Sequence, residues 1–500
     1  MIGELVDRLV SVVSPASAAR RTQARRAYRG AAQRAYDGAR SDRLNSGWLA
    51  QNRSADMELA ESADTIRARA RSLVQNNAYA RGIIRADVRN VVGVGIRPQA
   101  RVPDQEAFNS AAESLFSRWQ RRADVGGRLS FYEMQAVARS EIKEAGECLI
   151  RFVASADRRR PVPLALELID VDQLATDAHP RGLNPETGNE VRRGIELDDN
   201  GQPVRYWLYS SHPHGTSPGR QRAVAYDAAE FVHLFESQRA GQTRGVSSFA
   251  PVVSMMKNLG YYIDNELQSS AIASCFSVLI TSAAGGADGG LGDGVSSDSD
   301  VDGNTFETIQ PGAIMRGIAR QGESAEVIDP GRSHSDSRVW IELMIRSLAV
   351  GTGLSYERLS RDYSQTNYSS NRASDLEDRR EFRPAQQYLI EHLCQPVWER
   401  FLAAAVQGGA AEFPDATGFL ANYDQGIGDG GWTACTWQAP GWEWVDPLKE
   451  QRASHEAISH GLSTLEHEAG KRGADWKDVL AQRAREQAMI ASLGLNGQEE

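Results

Sequence analysis

The chain is 500 residues long and 41% apolar, which at about 100 to 200 residues per domain supplies core for roughly three folded units and excludes a disordered chain. Its 45 glycines and 18 prolines show no collagen period, so the fibrous classes drop out. With 56 basic residues against 66 acidic ones the formal charge is −10, which excludes histone-like or repressor-like DNA binding, a mode that depends on cationic surplus.

In chain order, the first segment offers Leu9 to Val13 as an apolar run, but Glu4 and Asp7 stand where a signal peptide needs positive charge, so it reads as a short amphipathic helix. Residues 18–36 then carry Arg20, Arg21, Arg25, Arg26, Arg29 and Arg34 without an acid, a basic arm that orders on a partner or a plain exposed helix. Helical spacing follows from Ala63 to Arg89, Gln105 to Arg122 and Tyr132 to Ala145. The period then drops to two, predicting strands at Glu147 to Val153, Leu164 to Ile169, Gly194 to Leu197, Val204 to Tyr209 and Glu230 to Phe235. Residues 63–245 thus read as an α+β domain.

Pro251 sits in the first turn of a long helix in which Val252, Met256, Leu259, Ile263 and Leu267 recur at helical spacing, continuing to about Ile280. That length is roughly 45 Å at 1.5 Å per residue. Periodicity cannot say whether the stripe faces another copy or the chain's own core; both readings stay open. The Gly, Ser and Asp tract 283–303 is too poor in apolar residues to pack. Short strands are expected at Ile314 to Ile318 and Glu326 to Ile328, a helix from Ser335 to Val350, then a polar stretch, 358–371. A charged helix from Arg372 to Ala405 should kink at Pro384 and Pro396. A Trp-rich extended segment, 432–445, precedes two C-terminal helices. Cys148, Cys275, Cys394 and Cys435 are far apart and form no CxxC pair, so neither a disulfide framework nor a zinc knuckle is expected. The longest apolar stretch, 271–280, is too short to span a bilayer.

Four strings imitate catalytic or metal motifs, and each fails on context; a fifth motif is missing outright. Gly93-Val94-Gly95 has Pro98 where a dinucleotide fingerprint needs its third glycine. GxxxxGK[ST] is absent, and only five of the basic residues are lysine, so no P-loop is present. Gly215-Thr216-Ser217-Pro218-Gly219 lacks the strand and helix of a nucleophile elbow. His455 and His460 lie five apart, about 140° around a helix, and cannot grip one zinc as an HExxH pair does. Asp298 to Asn304 copies the start of an EF-hand loop, but Ile309 stands where the bidentate Glu should be. The reading is a non-enzymatic protein with no cofactor and no resident metal.

A series of motifs in fixed order carries a resemblance. They are Ala35-Tyr36-Asp37-Gly38-Ala39 with Trp48, Leu73-Val74-Gln75-Asn76-Asn77-Ala78-Tyr79-Ala80, and Asn90-Val91-Val92-Gly93-Val94-Gly95-Ile96-Arg97-Pro98. Further on stand Arg239-Ala240-Gly241-Gln242-Thr243-Arg244-Gly245-Val246-Ser247, Asn367-Tyr368-Ser369-Ser370-Asn371-Arg372-Ala373, Pro440-Gly441-Trp442, and Val445-Asp446-Pro447-Leu448-Lys449-Glu450. In order and wording, from about residue 30 to 495, the chain resembles the lambda-family tailed-phage portal proteins.

That resemblance implies an α+β portal protomer, assembling as a ring, usually a dodecamer, at one capsid vertex. Double-stranded DNA is packaged and ejected through its channel, and the ring docks the terminase large subunit, capsid or scaffold proteins and head-tail adaptor proteins. No membrane is involved; the location is the virion, after assembly in the host cytoplasm. Mapped by order, the parts are a basic arm (1–44), a wing (45–249), a first stem helix (250–282), a clip (283–332), a second stem helix (333–350), a tunnel loop (351–371), a backbone helix (372–410) and a C-terminal crown region (411–500). The expected DNA-channel residues are Arg358, Arg361, Tyr363, Gln365, Asn367 and Tyr368 of the tunnel loop. Val252, Met256, Leu259, Ile263 and Leu267 would form the subunit interface, with core packing within the chain as the open alternative. Residues 283–336 hold ten acids against three arginines. A lumen wall of that sign would repel the duplex, within a screening length of roughly 8 Å. The alternatives are another head-tail adaptor, which is generally far shorter, and a DNA-processing enzyme, which the missing P-loop opposes.

Overall fold

The computed structural model describes residues 52–179, 182–215, 222–282, 295–299, 305–309, 313–318, 324–326, 334–410, 413, 416–422, 431–442, 447–474 and 476–493. The elements below belong to one unit, Ala55–Glu500. The Arg20–Arg34 arm, the serine of the GxSxG string and Asp300 to Asn304 of the acidic loop lie outside the described residues.

The first helical stretch is two helices, α1 (Ala55–Asn76) and α2 (Ala78–Val91). The break falls at Asn77, whose side chain accepts from the amides of Tyr79 (2.9 Å) and Ala80 (3.1 Å). An N-cap in mid-run satisfies the first amides of α2 and lets the chain turn. Strand β1 (Arg97–Ala100) follows, then α3 (Glu106–Trp119) and α4 (Phe131–Glu144). Helix α4 opens with a capping box between Ser130 and Glu133.

Strands β2 (Glu147–Ala154), β3 (Leu164–Ile169) and β8 (Phe231–Phe235) form one antiparallel sheet in the order β3-β2-β8. Between β3 and β8 the chain builds a second sheet, β4 (Glu190–Arg192), β5 (Ile195–Leu197), β6 (Pro203–Tyr209) and β7 (Ala223–Asp227), in sequential order. The predicted strands all appear within a residue or two; β4 and β7 are additional. Helices α3 and α4 meet the main core through Phe116 and Trp119, whose rings contact Trp398 and Phe401 from far along the chain at centroid distances of 5.0 to 5.4 Å, with Phe131 packed on Phe116 and Trp119 at 5.9 and 6.2 Å. Such tilted and edge-to-face pairs bind segments nearly 300 residues apart into one core.

The long helix α5 (Val253–Cys275) has 23 residues, about 35 Å, and then gives way to strand β9 (Phe276–Ser282). The expected 45 Å was too long because the β-branched and aromatic run after Cys275 takes extended form. Strands β10 (Val295–Ser299) and β11 (Thr305–Ile309) make a hairpin, while β12 (Ala313–Ile318) and β13 (Ser324–Glu326) flank β9. Helix α6 (His334–Thr352) returns alongside α5. The stripe expected to meet another copy is corrected here: Val252, Met256 and Leu259 are buried in the chain's own core, Ile263 packs against its edge, and only Leu267 is exposed.

A short helix α7 (Tyr356–Ser360) leads to α8 (Tyr368–Leu389), a π-helical turn at Ile390–Cys394, and α9 (Gln395–Gln407). Pro384 is absorbed inside α8, whereas Pro396, in the first turn of α9, has no N–H to continue the ladder, and the π-turn before it accommodates its ring. Helix α10 (Ala416–Asn422) and strand β14 (Cys435–Gln438) follow, β14 pairing antiparallel with β1. The C-terminal region holds three helices rather than two: α11 (Pro447–Ser459), α12 (Leu465–Gly470) and α13 (Trp476–Ser492).

Candidate functional site

The loop between α6 and α8 is anchored at its base and open at its tip. After α6, Gly353 takes a φ of +71°, Leu354 is buried, and Ser355 caps α7. Asp378 of α8 reaches back to receive both the Ser355 amide and its hydroxyl, each at 2.8 Å. Arg358 donates to the same Asp378, to Asp375 at 2.8 Å and to the Asn90 side chain at 3.3 Å, with its guanidinium 5.5 Å over the Phe382 ring.

Asn90 joins the distant motifs. Its side-chain oxygen also accepts from the Trp442 indole at 3.0 Å, and Gln386 donates to the carbonyls of Asn90 and Pro440, each at 3.1 Å. Arg379 and Arg383 lie over the Trp442 ring at 5.8 and 5.9 Å. Gly95, at φ +111°, has Tyr132 so close that an added Cβ would sit 2.4 Å from the ring carbon, which requires glycine. Two strings of the sequence, Asn90 to Pro98 and Pro440 to Trp442, therefore meet helix α8 around one loop base.

Beyond that base the chain is presented to solvent. Arg361 adopts a left-handed φ of +56° and is exposed, as are Tyr363, Gln365, Asn367 and Tyr368. Asn367 and Ser370 close a reciprocal cap on α8, which ends the loop. The hydroxyl and amide of Ser364 hold the Asp362 carboxyl below the usual range. Of the six loop residues expected to meet DNA, five form the exposed tip; Arg358 instead has its guanidinium occupied by two carboxylates and serves the base.

A second cluster, not foreseen from sequence, organises the α+β part of the chain before α5. Glu147 at the start of β2 is fully enclosed and accepts from Arg244 (2.6 to 3.0 Å), Arg67 (3.1 Å), His233 (3.1 Å) and the Gly245 amide (3.0 Å). Burial would raise its pKa, but Arg244 and His233 outweigh it and hold the carboxyl well below its ordinary value. Gly245 is required here: a Cβ would lie 2.1 Å from the Gly146 carbonyl oxygen. A further ion-pair trio, Arg139 with Asp87 and Glu236, ties α4 to α2 and the chain after β8. The one signal for such pairing was the arginine-glycine string at 244–245.

Among the described residues one trio with metal-ligand atoms comes together, Asp170, Asp172 and His212. Arg67 and Arg71 already neutralise those carboxylates, so the trio belongs to an ion-pair network. His455 and His460 are both exposed. No helix among the described residues is long and apolar enough to cross a membrane.

The fold is thus that of a mixed α/β structural protomer whose paired long helices, α5 and α6, flank a small-sheet insertion. The family described as phage portal protein, lambda family, matches residues 41–386, and the chain belongs to that family. It is 26% identical over 469 residues to a probable portal protein of Halomonas phage phiHAP-1, covering 91% of this chain and 87% of that one. It is 25% identical over 492 residues to portal protein B of Escherichia phage lambda, covering 90% and 88%. Among solved structures, a chain from the neck of an empty GTA particle, computed with C6 symmetry, aligns at a TM-score of 0.41 and 12% identity, covering 80% of this chain and 92% of that one. Asn90 to Pro98 and the loop from α6 to α8 lie within the family match and Pro440 to Trp442 beyond it, and their junction is the candidate functional site.

Proposed function

We propose that copies of this chain close into a ring, a dodecamer, at one vertex of a phage capsid, and that double-stranded DNA is packaged and later ejected through its axis. The observation that carries this reading is the near-full-length relation to portal proteins. The chain acts as a conduit without a catalytic step of its own. It is assembled in the host cytoplasm and resides in the virion.

The tip residues Arg361, Tyr363, Gln365, Asn367 and Tyr368 line the channel and make the few phosphate contacts that form. Each neutralised phosphate adds a salt-sensitive increment of affinity, so a translocation channel works with few cations at the wall. Two exposed tyrosines give the tip polar, partly apolar surface that touches the duplex without gripping it. The small-sheet segment, 283–332, is the docking site for the terminase large subunit and later for the head-tail adaptor proteins. The arm with Arg20, Arg21, Arg25, Arg26, Arg29 and Arg34 meets capsid or scaffold proteins. In an in vitro packaging assay, Arg361→Asn with Tyr363→Ala should lower DNA packaged or retained while the ring still forms. Asn keeps the left-handed backbone accessible. Unchanged packaging would remove the tip from the mechanism.

A further inference from the structure

The loop base and the segment Pro440 to Trp442 rest on neighbouring turns of α8. Asp375, Asp378 and Phe382 hold Arg358, while Arg379 and Arg383 lie over Trp442 and Gln386 reaches the Pro440 carbonyl. Between the two stands Asn90 in the last turn of α2, whose side-chain oxygen accepts from both the Arg358 guanidinium and the Trp442 indole. The Asn90 amide nitrogen is spent on the Ala86 carbonyl at 2.7 Å, which fixes the orientation of the group. A flip would turn an NH2 toward two donors and forfeit all three bonds. The C-terminal segment is itself wedged. A Cβ on Gly441 would lie 1.6 Å from the Lys471 carbonyl oxygen at the end of α12, and one on Gly93 would lie 3.0 Å from Pro440. Backbone clasped that closely between the turn after α2 and the end of α12 has no slack, so a shift of α12 is carried into Trp442.

We infer that Asn90 couples the C-terminal segment to the loop between α6 and α8, so that a displacement of Trp442 is passed through the Asn90 side chain to Arg358, and the reverse. The coupling is a property of one chain; only its consequence, a tip held in place for the duplex, rests on the function proposed above. One oxygen shared by two donors makes the two bonds interdependent, because losing either donor frees the amide to follow the other. Arg358 stands at the foot of the exposed tip that begins at Arg361. Its guanidinium is held by α8 and by α2 together, and the α2 contact is the one that the C-terminal segment shares. Asn90 is therefore a positioning residue, acting on the tip through Arg358 without touching DNA.

The test is hydrogen exchange, read by mass spectrometry on the full chain, unaltered and as Trp442→Phe, which keeps an aromatic ring beside Arg379 and Arg383 but removes the N–H. Exchange across 353–360 is expected to quicken about three- to tenfold, the effect of one lost hydrogen bond, with α9 unchanged. In return, Arg358→Met should quicken 435–442, since coupling between two sites is reciprocal. Asn90→Leu should do both, and adding Trp442→Phe to it should change 353–360 no further. Quickening confined to 435–442 in Trp442→Phe, or uniform quickening that includes α9, would overturn the coupling. So would a loop that quickens equally in Arg383→Ala, which keeps the indole N–H, because the path would then run through α8. A packaging assay on the same variants separates this inference from the function it serves. Coupled exchange with unchanged packaging leaves the coupling standing and removes the tip from DNA passage; lost packaging with unchanged exchange across 353–360 overturns the coupling and leaves the tip its role.

Discussion

Glu147 shows what one enclosed charge does for this protein. Four donors from α1, β8 and the 244–245 turn converge on a carboxylate that has no contact with water, so one acid ties these three segments to β2. Replacing it with Gln leaves Arg244 buried without a counter-charge, while Arg67 keeps Asp172, and breaking such a pair costs about 3 to 5 kcal/mol. Urea unfolding of Glu147→Gln should show a loss of that order, with Glu58→Ala, whose pair with Arg239 is exposed, as a milder surface comparison. Because the Glu147 pKa is lowered on folding, its contribution is present above the ordinary carboxylate range and is lost as pH falls through the folded value. Glu141 behaves oppositely. Burial, with help from Asp170 and Glu144 and against the pull of Arg71, pushes it up to about 7. A raised carboxylate pKa means that stability declines as pH rises from about 4.5 to about 7. Glu141→Gln should flatten that part of a melting-temperature profile and raise the value at pH 8; an unchanged profile would show that Glu141 titrates normally.

At the scale of elements, the loop between α6 and α8 stands on a fixed base. Asp378→Asn removes the acceptor charge for Arg358 and weakens the hold on Ser355, so hydrogen exchange should quicken across 353–360 with little change in α9. Uniform quickening would mean a global loss of stability instead. How far these elements were legible in sequence depended on which physical quantity set them. Strand β6 announced itself by alternation, as a half-buried strand does, while β2 and β3, with runs of consecutive buried residues, announced themselves as short apolar runs between turn residues. The three residues of β4 and the five of β7 were too short to show a pattern. In α5, spacing identified the buried face of Val252, Met256 and Leu259 correctly but not whose core it entered, since that depends on chain-distant α1 and α6. Arg358 looked like its exposed neighbours in the polar run; only the return of α8 brings Asp375 and Asp378 to it. Arg67, Arg139 and Arg244 gave no local sign of burial, because a charge goes inside only when a partner comes from elsewhere in the chain.

For the whole molecule, length and charge take on a different meaning once the fold is known. Five hundred residues suggested about three independent globules, yet rings from α3, α4 and α9 share one core, so segments nearly 300 residues apart are committed to each other. The charge of −10 excludes tight static binding of DNA and suits a wall past which a polyanion must slide. On this account the protomer is incomplete alone: an exposed loop tip acquires its role only around an axis. The most direct test is electron cryomicroscopy of the purified full chain. The account predicts a closed ring with a central channel, about 650 kDa for twelve copies of the 54.8 kDa chain, with residues 361–368 nearest the axis. A monomer, or a ring that carries those residues on its outer rim, would contradict it.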